Sequence, residues 1–579
     1  MPTPREHGPT VLPSGARFSV WAPSSRRVAI RAAGRDHPLT PRSRGWFEGE
    51  VKGLGDGATY ALVLDGGRVR PDPASRRQPE GVHGPSALFD PRRHAWTDAG
   101  WRGVPLESLV FYELHVGTFT PEGTLEAAAA RLPDLVELGV TCVELMPVQP
   151  FAGDHNWGYD GVSLRAVHEG YGGPAALQRF VDRAHALGLA VCLDVVFNHL
   201  GPEGNYLPQL GPYLSDRHRS AWGDGLDYDG PRSGPVRQLM VGAAAQWVRD
   251  FHVDALRLDA THAIADGSPR HLVADLALAA HAAGREGGRR VHVVAEDERN
   301  DRAVLVPPPA GWGCDAVWAD DLHHAIHALL TGERASFLAD FGGAEELRRA
   351  LAEGWAWQGE VSRQKGKPRG TSAAGLAPAR FVTCLQNHDQ VGNRARGERL
   401  ASLVPWDALY PAAALVLLGS GTPLLFMGEE YGETRPFLYF TSHGDPALAR
   451  AVSEGRKGEF IASAEVVPDP QDPDTFERSR LTHQRDGRHA HLREHYRRLL
   501  ALRRKHLTAI SARFPDVEVD GTVVTLRREE LVVRVNLGAA PAGGLAPWAV
   551  ELEETGRERP DPADPPHVLT TRGGRGLAP

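Results

Sequence analysis

The spacing of hydrophobic and polar residues changes character twice along the chain. Residues 1–90 contain short runs that alternate apolar with polar side chains, among them Ala16–Ala22 and Thr59–Leu64, separated by Gly, Pro and Asp. Such alternation with frequent turn residues predicts an N-terminal immunoglobulin-like β-sandwich. Residues 91–107 contain two prolines and two glycines, and we interpret this stretch as a linker.

From Leu109 the pattern becomes strand, helix, strand, and it continues to about residue 513. Repeated alternation of this kind predicts a (β/α)8 TIM barrel over residues 108–513. Residues from about 200 to 235 lack periodicity and are too long for an ordinary loop, so we expect a small inserted subdomain there. The predicted strands are 109–119, 140–148, 189–196, 255–259, 292–295, 316–319, 381–385 and 423–427.

Three details of the barrel region carry separate expectations. Pro133 lies within the helical pattern of Leu125–Leu138, and we expect it to break that helix. The spacing of apolar residues over 488–510 predicts one long final helix. Residues 514–579 return to short alternating runs, which predict a C-terminal β-sandwich domain with a mobile Gly/Pro-rich tail.

Composition narrows the class of partner. The 579 residues are 41% hydrophobic and 24% charged, with a formal net charge of −8, so we expect no nucleic-acid partner. The four cysteines show no metal-ligand spacing, which favours buried thiols in a reducing compartment. Neither a signal region nor a stretch of ~18 apolar residues is present, so we expect a cytoplasmic protein without a membrane partner.

Three acidic residues stand where predicted barrel strands end. Asp259 and Glu296 directly follow apolar runs, and Asp389 follows the run that begins at Phe381. Carboxylates at the carboxyl ends of several barrel strands are how this fold builds an active site. A single such residue is more often a helix cap or an ion-pair partner, but three in barrel order favour chemistry. Two facing carboxyl groups can cleave a glycosidic bond.

The neighbours of these acids suggest different roles for them. Arg257 lies two positions before Asp259 and therefore on the same face of the strand, where it would keep Asp259 ionised as a nucleophile. Glu296 has no such cation close in sequence, so burial would raise its pKa and suit it to act as the general acid. Asp389 follows His388 and could stabilise a positively charged transition state.

Four segments resemble the conserved regions of the α-amylase superfamily, glycoside hydrolase family 13: residues 194–199, 255–262, 293–297 and 381–389. The resemblance implies that Asp259 is the nucleophile, Glu296 the acid/base and Asp389 the transition-state stabiliser. It also implies an N-terminal sandwich of the type that precedes the barrel in glucan-branching and debranching enzymes. The substrate-binding residues that it implies are Tyr159, Asp160, His199, Arg257, His262 and His388.

Further motifs are similar to those of the maltooligosyltrehalose trehalohydrolase family, among them Tyr112–Gly123, Asn156–Val162 and Ala319–Ala325. The resemblance implies hydrolysis, with retention of configuration, of the α-1,4 bond between a maltooligosaccharide and its terminal trehalose. Maltooligosyltrehalose and other α-1,4-glucans are then the expected partners. A maltooligosyltrehalose synthase would be a pathway neighbour without implied direct contact. No cofactor and no metal are expected.

Other interpretations remain open at this point. A branching or debranching enzyme would use the same fold on α-1,6 linkages, and a catalytically silent glucan-binding protein would use it without chemistry. Asn198 could hold calcium, although hydrogen bonding is favoured because no acidic cluster follows it. The basic stretch 362–370 could gate a cleft or be a solvated loop. The tryptophans that could be sugar platforms or core residues are Trp157, Trp222, Trp318 and Trp357.

Overall fold

The computed structural model describes residues 6–220, 223–460 and 466–554, so Trp222 and the tail beyond residue 554 lie outside the described residues. The N-terminal region forms two antiparallel sheets, with orders β1-β2-β6-β5 and β4-β3-β7-β8, and β9 pairs with β7. Phe18 and Tyr60 meet between the sheets with ring centroids 5.0 Å apart. The strands are β1 Gly8–Leu12, β2 Gly15–Trp21, β3 Val28–Ala32, β4 Arg35–Pro38, β5 Thr40–Pro41, β6 Trp46–Lys52, β7 Thr59–Leu64, β8 Arg68–Arg70 and β9 Ser86–Ala87.

A closed parallel barrel follows, which confirms the predicted fold class. Its order is β10-β11-β12-β15-β16-β17-β18-β19, and β19 pairs with β10 to close the ring. Every residue of these strands is buried, as expected for a parallel sheet covered on both faces. The strands from this part of the chain are β10 Phe111–Leu114, β11 Cys142–Leu145, β12 Ala190–Val195, β13 Leu214–Ser220, β14 Gly223–Leu226, β15 Ala255–Leu258, β16 His292–Ala295, β17 Ala316–Trp318, β18 Phe381–Cys384 and β19 Thr422–Phe426.

Helices alternate with the barrel strands and cover them. The α-helices found in the described residues are α1 Val116–Phe119, α2 Leu125–Leu138, α3 Gly173–Ala186, α4 Leu207–Leu210, α5 Gly234–Phe251, α6 Leu272–Glu286, α7 Asp321–Thr331, α8 Ala344–Glu353, α9 His388–Gly392, α10 Leu400–Leu403, α11 Leu409–Leu417, α12 Pro446–Glu459, α13 Pro473–Arg478, α14 Gly487–Lys505 and α15 Leu507–Ala512. No helix in those ranges is long and apolar enough to cross a membrane.

Two predictions about helices were wrong, and the predicted first strand, Leu109–Phe119, ends at Leu114 because α1 begins at Val116. Helix α2 runs unbroken through Pro133, which lies on its exposed side while Leu132 and Leu135 are buried. The missing backbone hydrogen bond therefore faces solvent, and burial of the opposite face holds the helix together. The last helical segment is two helices, because His506 interrupts the helical backbone with φ −105° and ψ 20° between α14 and α15.

The inserted and C-terminal segments contain their own sheets. Strands β13 and β14 pair antiparallel within residues 200–235 and follow the short helix α4. Among residues 466–554 one four-stranded antiparallel sheet is described, with strands β20 Asp516–Asp520, β21 Val523–Arg527, β22 Leu531–Asn536 and β23 Val550–Glu554. The domain limits given above remain predictions. The four cysteines are buried and free, and three of them lie in barrel strands.

The segment predicted as a linker is attached firmly to the barrel. His185 of α3 lies between two carboxylates, with Nδ1 2.8 Å from Asp98 and Nε2 2.8 Å from Asp254. Asp254, which immediately precedes β15, also accepts a 2.7 Å hydrogen bond from the Trp101 indole. Nδ1 of His252 also lies 2.8 Å from Oδ2 of Asp98. Buried carboxylates are stable only when they are paired in this way.

We expect Asp254→Ala to lower the free energy of unfolding by about 3 kcal/mol, because it leaves Nε2 of His185 and the Trp101 indole N–H without their buried acceptor. Chemical denaturation measures this loss. The matched control is Glu50→Ala, which removes an exposed ion pair with Arg17 and should cost under about 0.5 kcal/mol. Equal losses in the two variants would contradict a stabilising role for the Asp254 network.

Candidate active site

The three acids predicted from the sequence meet at the carboxyl end of the barrel. Asp259 directly follows β15 and Glu296 directly follows β16. Asp389 lies in α9, a short helix that starts after β18 and is capped by Asn387, whose side chain accepts a hydrogen bond from the backbone of Gln390. Parallel strands end at one rim of a barrel, so these local arrangements carry the three side chains into the same space.

Arg257 lies between the three acids and contacts each of them through its guanidinium group. Its fully buried guanidinium donates from Nη1 to Asp259 Oδ1 at 2.7 Å and to Asp194 Oδ2 at 2.8 Å. Its Nη2 lies 3.6 Å from Glu296 Oε2 and 3.9 Å from Asp389 Oδ2, and no hydrogen bond uses that nitrogen. One cation thus lies within 4 Å of all three acids.

The backbone after Asp259 is held in an unusual conformation by Glu296. Ala260 has φ 39°, in the left-handed region that a non-glycine residue rarely adopts. Its N–H donates to Glu296 Oε2 at 2.6 Å. Strain of this kind persists only where surrounding contacts enforce it, and it concentrates at functional sites. The second oxygen of Glu296 is thereby left to carry a proton.

Asn198 and Asp194 complete the surroundings of Asp259. Asn198 Nδ2 donates to Asp259 Oδ2 at 2.6 Å and to its backbone oxygen at 3.0 Å. With Arg257 on the other carboxylate oxygen, both oxygens of Asp259 are oriented by donors. Ionised carboxylates prefer such an environment, so the geometry suits a group that attacks as an anion.

A second group of side chains lies beside Asp194. The Tyr159 hydroxyl is 2.7 Å from Asp194 Oδ2 and 2.7 Å from His388 Nε2, and its ring stacks on His388 with centroids 5.2 Å apart. His388 in turn contacts Glu113 of strand β10 through its backbone N–H and Nδ1. Tyr159 and His388 therefore lie next to the acids, and their role in binding sugar stays a prediction.

Burial raises the pKa of two carboxyl groups in the site, Glu296 and Asp194. Loss of water raises the pKa of Glu296 well above its usual range, and this effect outweighs the opposing charge of Arg257 because Asp259 and Asp389 add to it. Burial also raises the pKa of Asp194, to about 6, against the pull of Arg257. Burial therefore favours the protonated form of Glu296, which a general acid needs, while the charge of Arg257 favours the ionised form of Asp194.

The remaining predicted binding residues lie at varying distances from this centre. His199 borders it, with Nε2 2.9 Å from the backbone oxygen of Tyr159. Asp160 accepts a 2.6 Å hydrogen bond from Asn156 and lies 3.9 Å from His443. His262, in the turn after Ala260, makes no described hydrogen bond to the acids, and its Nδ1 lacks a partner. The structure therefore places His199 at the border of the group of acids, whereas Asp160 and His262 make no described contact with the acids.

The tryptophans in the described residues lie mostly in the interior. Trp157 is 4% exposed and donates to the backbone oxygen of Leu438, and Trp318 is 4% exposed beneath the Arg257 guanidinium. Trp357 is also buried. Core packing therefore describes them better than an open sugar platform.

The basic stretch 362–370 is anchored, since Lys365 pairs with Glu298 at 3.0 Å.

The prediction of site residues from sequence missed Asp194 and Glu113. Each is a charged residue inside an apolar strand, β12 and β10, and that contrast was a usable signal. Glu144 of β11 is also a charged residue in an apolar strand, but its carboxyl oxygens make no hydrogen bond to the site, and burial raises its pKa to about 8. Among the described residues no cluster of three or more His, Cys, Asp or Glu side chains could hold a metal ion.

Comparison with known proteins gives the class of the protein. A family model described as the alpha amylase catalytic domain matches residues 88–219. A crystal structure of a Salmonella typhimurium protein of the alpha amylase type superposes with a TM-score of 0.89 and 41% identity, covering 95% of this chain and 99% of that one. With its closed barrel and clustered carboxylates, the protein is a glycosidase of the α-amylase superfamily.

Two relatives give the family within that class. A Rhizobium sp. (strain M-11) protein described as malto-oligosyltrehalose trehalohydrolase is 47% identical over 519 residues, which cover 87% of each chain. One of the same description from Arthrobacter ramosus is 47% identical over 541 residues, covering 91% of this chain and 94% of that one. The chain belongs to the maltooligosyltrehalose trehalohydrolase family.

Proposed function

We propose that the protein hydrolyses the α-1,4 bond between a maltooligosaccharide and its terminal trehalose unit, releasing trehalose with retention of configuration at the cleaved sugar. The observation that carries this proposal is the arrangement of Asp259, Glu296 and Asp389 around Arg257 in a chain of this family. Maltooligosyltrehalose is the expected substrate, and trehalose biosynthesis from α-glucan is the expected role.

In the first step Asp259 attacks the anomeric carbon of the sugar and forms an ester, and the bond to the trehalose oxygen breaks. Glu296 gives its proton to that oxygen as it leaves. A water molecule then attacks the same carbon, Glu296 takes the proton from the water, and the ester bond to Asp259 breaks. Both carboxyl groups return to their initial states, as a catalytic cycle requires.

The other groups support these two steps. Asp389, the most exposed of the three acids, would face the positive charge that develops on the sugar ring. Arg257 and Asn198 orient the nucleophile, and Tyr159 with His388 would hold the sugar. Asp160, His199 and His262 are proposed as further binding residues. We also propose a cytoplasmic location, with a maltooligosyltrehalose synthase as the supplier of substrate.

Incubation with maltooligosyltrehalose and, separately, with glycogen tests the substrate. We expect free trehalose and a shortened maltooligosaccharide from the first, detected by chromatography, and little change in the second. Proton NMR during the reaction should show the new reducing end first as the α-anomer. A change in glycogen alone would reject the substrate, and an initial β-anomer would reject the mechanism. The Asp259→Asn variant is the blank.

A further inference from the structure

Glu113 lies in the middle of the first barrel strand, β10, where its side chain is fully buried. One carboxylate oxygen accepts the backbone N–H of His388 at 2.9 Å, and the other contacts Nδ1 of the same residue. The two residues are 275 positions apart in sequence. A buried carboxylate is costly unless it is paired, and His388 is the partner that the fold provides.

The hydrogen bonds around His388 fix where its protons are. Asp194 is ionised above about pH 6 and Arg257 Nη1 contacts both of its oxygens, so Tyr159 donates its one hydroxyl proton to Asp194. The Tyr159 oxygen must then accept from His388 Nε2, 2.7 Å away. Nδ1 of His388 faces the acceptor Glu113 on the other side. Both ring nitrogens therefore carry protons, and the ring is an imidazolium.

We propose that Glu113 is a positioning residue that keeps His388 in its charged form and fixes the orientation of its ring at the sugar-binding end of the site. Its effect on turnover rests on the proposed function, because Glu113 does not touch the reacting atoms and acts through His388. The charge would strengthen the hydrogen bond from Nε2 to Tyr159, whose ring stacks on His388.

The charged and titratable groups around His388 agree with this assignment. Burial alone lowers the pKa of His388, but the carboxylates of Asp389 and Glu113 outweigh it and raise this pKa to about 9. The nearby His115 is neutral, since burial lowers its pKa to about 3. The groups that face His388 are Glu113, His115, Tyr159, Asp194, Arg257 and Asp389, with Trp157 and Trp318 as aromatic neighbours.

The sign of the pH dependence follows from this. The imidazolium persists below about pH 9 and is lost as the pH rises through that value. Removing the charge of Glu113 lowers the pKa of His388, so the charged form is lost at a lower pH. For a Glu113→Gln variant we expect the alkaline fall in kcat/KM to move to lower pH. Because the pKa of His388 starts near 9, activity at pH 8 relative to pH 6 should fall about twofold for a downward shift of one unit and about tenfold for a shift of two units.

Glu144→Gln is the matched control. Glu144 lies directly opposite Glu113 in the register of β10 and β11 and is equally buried. Burial raises the pKa of Glu144 to about 8, so it is neutral near pH 7, and its replacement removes no charge there. We expect the profile below pH 7 to be unchanged in this variant. A Glu113→Gln variant whose activity falls equally at every pH, like a general packing defect, would overturn the proposal.

A measurement without substrate separates this proposal from the substrate assignment. The ring nitrogens of His388 can be observed by NMR with ¹⁵N-labelled histidine and identified by their absence in His388→Gln. We expect an imidazolium at pH 7.5 in the unaltered protein and a shift toward neutral imidazole in Glu113→Gln. No sugar is needed, so this result stands if maltooligosyltrehalose is not the substrate. A neutral His388 in the unaltered protein would overturn the proposal, even if Glu113→Gln fails to fold.

The double variant Glu113→Gln/His388→Gln tests whether Glu113 acts through His388. If it does, adding the Glu113 change to His388→Gln should reduce kcat/KM by less than about twofold, because coupled residues are not additive. If the two losses multiply, Glu113 has an independent effect and the assignment is wrong.

Discussion

A Glu296→Gln variant should turn over maltooligosyltrehalose roughly 10³- to 10⁴-fold more slowly, with little change in substrate binding. Glutamine keeps the shape of the side chain and can still accept the hydrogen bond from Ala260, but it has no proton to give the leaving oxygen. The measurement is kcat from trehalose release, with binding measured separately by calorimetry.

The pH profile adds a second test of Glu296. Burial raises the pKa of this carboxyl well above its usual range, so its protonated form persists to a higher pH than in an ordinary glutamate and is lost as the pH rises through the raised pKa. Activity should therefore fall as the pH rises through the pKa of Glu296, and Glu296→Gln should lose this fall while keeping the one near pH 9 that comes from His388. The matched control is Glu298→Gln, two positions along the chain, where Glu298 pairs with Lys365 and activity should change less than about threefold. More than a tenth of normal kcat in Glu296→Gln would contradict the role.

Asp259→Asn should abolish formation of the glycosyl-enzyme and reduce kcat on the order of 10⁴-fold or more, as loss of a nucleophile does elsewhere. The amide of asparagine is a poor nucleophile, while Asn198 and Arg257 remain in place. A 5-fluoro glycosyl fluoride reports the step directly: the intact enzyme should gain the mass of one sugar, and the variant should not.

The two predictions check each other through that reagent. Fluoride leaves without needing a proton, so Glu296→Gln should still gain the sugar mass. Labelling of Asp259→Asn at the normal rate would exclude Asp259 as the nucleophile. Absence of label in Glu296→Gln would mean that Glu296 does more than donate a proton.

The three acids could be predicted from the sequence because each follows the apolar run of a predicted barrel strand. A charged residue is uncommon at such a position unless it is paired or functional. The pairing of Arg257 with Asp259 was also predictable, since residues two apart share a strand face, and the two side chains are 2.7 Å apart. Features that depend only on the alternation of residues along one strand could therefore be predicted without the structure.

The contact between Arg257 and Glu296 could not be predicted in this way. It joins neighbouring strands β15 and β16, and it depends on the second guanidinium nitrogen reaching 3.6 Å from the acid. The link from Glu113 to His388 is more remote still, because β10 and α9 come together only when β19 closes the ring. Such pairs are set by barrel closure, and no local pattern in the sequence records them.

The errors have a related origin. A proline in a helical pattern argues for a break, yet α2 tolerates Pro133 because the side chains on its buried face hold it in place. The predicted first strand, Leu109–Phe119, ends at Leu114 and gives way to α1. In both places packing from distant parts of the chain decides the outcome, which propensity alone cannot supply.

The attachment of Asp98 and Trp101 to His185 and Asp254 bears on how the enzyme can be dissected. A recombinant fragment that begins at residue 108 would contain all eight barrel strands. It would lack Asp98 and Trp101, which bond to His185 and Asp254 near the start of β15. Such a truncated product would expose an aspartate and a histidine that water must solvate, and engineering of a minimal catalytic unit should begin upstream of Asp98.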